Sequence, residues 1–192
     1  MNEIWLIGVV AIVLVAIAAV IGIARWQRSR RLRGQFGPEY DHAVEGFGHR
    51  RAAERALVDR ARRVDKLEIR PLPVLRRDEL WSRWQATQAQ FVDDPDTAIQ
   101  QAHTLLVLVM REEGYPTGRF EEELELLSVH HPGTVQHYRE AQRLAEARAQ
   151  GRSATEELRQ AMIHYRALFE DLLNLGVSRQ QSIARKEIRH EA

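Results

Sequence analysis

Cysteine is absent from the 192 residues, which removes disulfides, thiolate metal sites and thiol nucleophiles together. Such a composition suits a reducing compartment without requiring one. The glycine-rich loops that cradle nucleotide phosphates, G-x-x-x-x-G-K-[ST] and G-x-G-x-x-G, are missing, and so is the G-x-S-x-G nucleophile turn. No His-Glu-x-x-His occurs. Ala161 and Thr134 stand three residues before His164 and His137, so neither histidine has Glu-x-x-His spacing, and His130 and His137 are too far apart on a helix for a direct pair. Sustained strand-like alternation and internal repeats are also lacking. The sequence therefore offers no catalytic residues, no cofactor site and no metal site. Glu121, Glu122 and Glu123 resemble a cation site only by charge, because consecutive helical residues point in different directions, and they read as a solvated face.

Charge is missing from one further place. Ile4 to Ala24 is a run of 21 residues with no ionisable side chain. At about 1.5 Å per residue a helix of that length reaches roughly 30 Å, the thickness of a bilayer's hydrocarbon core. Gly8 and Gly22 are tolerated there, because a helix in lipid must satisfy its backbone internally. The membrane-flanking Trp5 and Trp26 sit near the two ends of the run, where amphipathic rings favour the headgroup zone. Only Glu3 precedes it, whereas Arg25, Arg28, Arg30, Arg31 and Arg33 follow. This asymmetry predicts a single-pass inner-membrane anchor over 1–25, with the N-terminus outside and the body cytoplasmic. The competing reading is a cleaved signal that releases a secreted helical domain. A basic n-region is absent, the run exceeds the roughly 7–15 residues of a signal core, and no small-x-small cleavage site follows.

Beyond the anchor, residues 26–70 form a basic juxtamembrane segment and a long charged helix. Residues 25–70 carry 13 basic and 7 acidic side chains, against 15 and 19 in 71–192, so the positive charge lies next to the membrane, where anionic lipid attracts it. Gly37-Pro38 reads as a break with proline at the first helical position. Residues 39–67 then read as one helix with a thin apolar stripe of Ala53, Leu57, Ala61 and Val64, weakened at Gly46 and Gly48. Its run RRAAERALVDRARR is diluted by Glu54 and Asp59 and lacks an aromatic platform, which makes a nucleic-acid partner unlikely as a class.

Residues 71–175 predict a helical bundle. Pro71 and Pro73 halt the preceding helix. A helix over 75–92 aligns Leu80, Trp84, Thr87 and Phe91, with Trp81 alongside. Asp94-Pro95 caps a helix over 95–113 containing LLVLVM, closed by Gly114. Helices over 118–128, 133–149 and 154–174 follow, the last opened by a capping box of Ser153 and Glu156 and ended at Gly176. A polar tail, 176–192, is expected to be disordered. The fold class is all-α: one transmembrane helix, then a soluble bundle of five to six helices.

Two functional classes fit this layout. The first is a membrane-anchored interaction or scaffolding module that holds a protein partner, or a second copy of itself, in a groove between helices. The second is an enzyme or small-molecule binder with a pocket among Trp81, Trp84, Tyr165 and Phe169, served by His103 or His164.

The phrases FGPEYDHAV (36–44), HRRAAERAL (49–57), LEIRPL (67–72), FVDDPDTAI (91–99), REEGYP (111–116), LSVHHP (127–132) and SATEELRQAMIHYRALFEDLL (153–173) occur in one order. Together they resemble a widespread family of bacterial proteins, described as membrane or secreted, with an N-terminal apolar segment and a helical body. The resemblance implies shared architecture. It carries over no activity and no catalytic residues, and the tail after Leu175 lies outside it.

Overall fold

Glycine and proline punctuation sets where each helix begins and ends. The computed structural model describes the backbone of residues 2–151 and 155–190, and the side chains of residues 14–151 and 155–173. Among them every regular element is an α-helix: α1 (Asn2–Phe36), α2 (Pro38–Phe47), α3 (Arg50–Val64), α4 (Val74–Gln90), α5 (Pro95–Glu113), α6 (Phe120–His130), α7 (Val135–Ala149) and α8 (Thr155–His190). The contacts divide the chain into two units, Met1–Leu57 and Val58–Ala192, with the boundary inside α3.

In the first unit α1 continues without interruption from the apolar run into the basic segment. Pro38 opens α2 at its first turn, as the Gly37-Pro38 pair predicts. The expected single helix over 39–67 is instead two. Gly48 takes a left-handed conformation (φ 65°) and its N–H closes on the Glu45 carbonyl, a stop that a side chain would resist. The His49 carbonyl then starts α3 by accepting from Ala52 and Ala53. Leu32, Phe36, Tyr40, Ala43, Ala53 and Leu57 are the buried apolar residues of this unit.

The second unit is a bundle in which α8 packs along α7 and α5, and α4 packs on α5. Asp94 caps α5, its carboxylate accepting from the Thr97 N–H at 3.1 Å. Ile99, Leu106, Val109 and Met110 bury the core face of α5. Gly114 closes that helix at φ 101°. A Cβ there would come within 2.6 Å of the Glu68 carbonyl, because the arm after α3 crosses the helix end and donates from Arg70 N–H to the Glu113 carbonyl at 2.8 Å. Leu158, Tyr165, Leu168, Phe169 and Leu172 give α8 its buried stripe. This helix runs through Gly176, where the sequence suggested an end. A single interior glycine costs only about 1 kcal/mol, and the following residues favour helix. The capping-box residue Ser153 lies outside the described residues.

Seven helices thus follow α1 among the described residues, one more than expected, because Gly48 divides 39–67. No helix among them is long and apolar enough to cross a membrane. Of the expected span, Ile4 to Val13 and the flanking Trp5 lie outside the described side chains.

Candidate functional site

Two helices of the first unit build an open groove. Its walls are Gly22, Arg25, Trp26, Arg28 and Ser29 of α1, facing Arg50, Arg51, Glu54 and Arg55 of α3, around about 660 Å³. Helical spacing aligns each wall: Arg25 and Arg28 are three apart, Arg51 and Arg55 four apart, so each pair shares a face.

Glu54 ties the walls together. Its Oε1 accepts from the Ser29 hydroxyl of α1, from the Tyr40 hydroxyl of α2 at 2.9 Å and from Arg50 Nε at 3.0 Å. Arg50 Nε also donates to the Tyr40 oxygen at 3.0 Å. Burial pushes the Glu54 carboxyl up, but hydrogen bonds from Ser29, Tyr40 and Arg50 outweigh it and hold the group below the usual range. The same contacts to Glu54 and Tyr40 raise Arg50. Glu54 is the one carboxylate of the lining, and it is already committed. Arg25, Arg28, Arg51 and Arg55 therefore face the groove with no carboxylate there to match them.

Among the other membrane-flanking residues, Arg30 stacks its guanidinium 4.8 Å from the Trp26 ring centre. Arg33 lies 5.0 Å over Tyr40 and 3.6 Å from Asp41. Arg31 is exposed.

The six pocket candidates of the second unit do not converge on one cleft. Trp84 and Phe169 are fully buried and stacked, with ring centres 4.6 Å apart. Trp81 lies 6.3 Å from Phe169 and borders a shallow groove of about 350 Å³ with Arg77, Asp78, Glu170 and Leu173. The rings occupy the space in which a ligand was expected.

His103 and Tyr165 belong to a separate network. Tyr138 donates to Glu123 Oε2 at 2.8 Å, and the Gly118 N–H donates to Glu123 Oε1 at 2.8 Å. His103 Nε2 sits 3.3 Å from the Tyr138 oxygen, and Tyr165 donates to Gln142 at 3.0 Å. Burial, then the bond to Glu123, pushes the Tyr138 phenol far up, so it remains a donor. Burial lowers His103, against the opposing charge of Glu123. Glu123 is buried, which corrects the reading of all three acidic residues as a solvated face.

His164 pairs with His137, their Nδ1 atoms 2.8 Å apart; burial and then the neighbouring imidazole lower it. Sequence spacing could not reveal this pair, because it joins α7 to α8. His131, buried at the end of α6, meets Asp171 at 2.9 Å, and Thr134 donates to the same oxygen at 2.5 Å. Burial raises Asp171, yet the bonds from His131 and Thr134 lower it overall. Each network satisfies its own polar groups and links helices. Among the described residues no group of three or more His, Cys, Asp or Glu is arranged to hold a metal ion.

The sequence reading missed Ser29, Arg50, Arg51, Glu54 and Arg55 as partners of Arg25 and Arg28. Both basic runs are visible in the chain; their meeting depends on the reversals at Gly37 and Gly48. Comparison with protein-family models, curated proteins and solved structures gave no match.

Proposed function

We propose that the chain is a single-pass membrane protein whose helical body holds a protein partner, or a second copy of itself, at the bilayer surface. One observation carries the anchor. Every residue of α1 from Leu14 to Arg28 is exposed, and Leu14, Val15, Ile17, Val20, Ile21 and Ile23 are among the largest exposed apolar side chains. These residues are spread round the helix rather than along one stripe, and a helix apolar all round calls for an apolar environment on every side. Lipid supplies that, and the arginines beginning at Arg25 mark where the hydrocarbon would end. The proposed orientation is N-terminus outside, body inside.

The interaction role is supported by the second unit. Its aromatic helices are filled by one another, and buried His131 and Glu123 are bonded to Asp171 and Tyr138 of other helices, so the surface is left as the working part. Leu75 in the first turn of α4 and Val92 just past its end, 85% and 84% exposed, are apolar contact points. The resemblance to bacterial proteins with an N-terminal apolar segment supports the same arrangement.

Carbonate extraction of cell membranes, combined with C-terminal reporters active on one side only, tests the anchor. Retention in the pellet with a cytoplasmic reporter signal is expected. A chain freed from the envelope and trimmed at its beginning would instead establish the secreted form. In-cell crosslinking tests the interaction role, which a clean monomer with no attached partner would overturn.

A further inference from the structure

We infer that the groove between α1 and α3 is a binding site for the phosphate headgroup of an anionic phospholipid. The choice of lipid as the source of that phosphate rests on the anchored reading. In sequence the groove begins at Gly22, two residues before the apolar run ends, and continues to Ser29. On an anchored chain it therefore stands at headgroup depth. Its opposite wall is supplied by Arg50, Arg51 and Arg55, brought alongside by the turns at Gly37 and Gly48.

The chemistry of the lining suits this ligand. Planar guanidinium groups donate in pairs to phosphate oxygens, and four of them face the groove unmatched by any lining carboxylate. The Trp26 ring is 57% exposed, and it and the bare backbone of Gly22 provide the less polar side on which a glycerol backbone can rest. A volume of about 660 Å³ falls within the range of small-ligand sites, about 300–1,000 Å³, and suits one headgroup rather than a nucleic-acid strand. Glu54 has its charge offset by Arg50, and its bonds from Ser29 and Tyr40 fix both walls.

The site differs from a general basic surface in being built by tertiary contact. That distinction is what the experiment reads. Purified full chain in nonionic detergent is exposed to equal amounts of phosphatidylglycerol and phosphatidylcholine with matched acyl chains, and retained lipid is counted by native mass spectrometry. Phosphatidylglycerol should be retained selectively. The variant Arg51→Gln/Arg55→Gln should lose that selectivity, on the order of 30-fold if each arginine acts independently. Arg25→Gln/Arg28→Gln, on the other wall, should lose it as well, so the outcome does not depend on one variant folding. The charge-matched control Arg62→Gln/Arg70→Gln, at residues that do not line the groove, should retain it.

Equal retention of both lipids, or equal loss in the control, would overturn the site. Displacement of phosphatidylglycerol by an equal concentration of inorganic phosphate or of a short RNA would also overturn it, by assigning the arginines to a free anion or a nucleic acid. Detergent delivers the chain regardless of where the cell puts it. Selective retention by a chain that fails carbonate extraction would therefore sink the anchor and leave the groove standing.

Discussion

Leu14 and Ile17 lie near the middle of the apolar run, and in the isolated chain they are 61% and 51% exposed. They therefore separate two situations that the sequence alone leaves together. If this face of α1 meets water, Leu14→Asp and Ile17→Asp alter an exposed surface and change stability by no more than about 0.5 kcal/mol. If it meets lipid, each aspartate costs about 2.5–3.5 kcal/mol of insertion free energy near the helix centre. Ile4–Ala24 holds 13 Ile, Leu or Val residues, each favouring insertion by about 0.3–0.6 kcal/mol, or about 4–8 kcal/mol in all. One aspartate should weaken insertion without abolishing it. The two together bring the balance to about zero or beyond, so the double variant should leave the carbonate-resistant fraction while the wild type stays. Circular dichroism of the released variant should still show the helical body. A double variant that remains as firmly embedded as the wild type, or a wild type that is extracted from the start, would refute the reasoning.

Gly114→Ala places a side chain in left-handed backbone, costing about 1–2 kcal/mol, and forces it against the Glu68 carbonyl, costing about 1–3 kcal/mol more. A fall in Tm on the order of 5–20 °C is expected, whereas Gly133→Ala, with open space around it, should shift it little. Tyr138→Phe leaves buried Glu123 short of a donor and should destabilise by about 1–3 kcal/mol in chemical denaturation; an unchanged midpoint would show that the contact is not formed. The lowered His103 makes the unfolded state the better proton acceptor, so its contribution is present above the ordinary imidazole pKa of about 6.5 and is lost as pH falls through the folded value. His103→Gln should therefore flatten the decline of Tm between about pH 7 and 5, and parallel curves would contradict that account.

Much of the bundle was written locally. Asp94-Pro95 and Gly114 set both ends of α5 because an N-cap carboxylate, a proline at the first position and a left-handed glycine act within a turn of themselves. The stripe of Leu80, Trp84, Thr87 and Phe91 was legible for the same reason, through helical period, as was the one through Tyr165 and Phe169. What those stripes do was not legible. Trp84 and Phe169 could have lined a pocket or filled one, and their stacking is decided by the approach of α4 and α8. Glu123 sat in an acidic triplet that looked solvated, yet Tyr138 and the Gly118 N–H claim it from other segments. Gly48 carried a readable warning, but whether a glycine interrupts a helix or is absorbed, as at Gly176, depends on what the rest of the chain gains.

By itself the sequence determined the all-helical class, the main punctuation and the separation of an uncharged start from a basic stretch, since each follows from neighbours along the chain. Only the tertiary structure decided that the two arginine runs share one groove, with Glu54 bridging Ser29, Tyr40 and Arg50, and that His137 meets His164 and His131 meets Asp171 between helices. Those contacts join residues far apart in sequence, and no local preference encodes the angle at which one helix meets another.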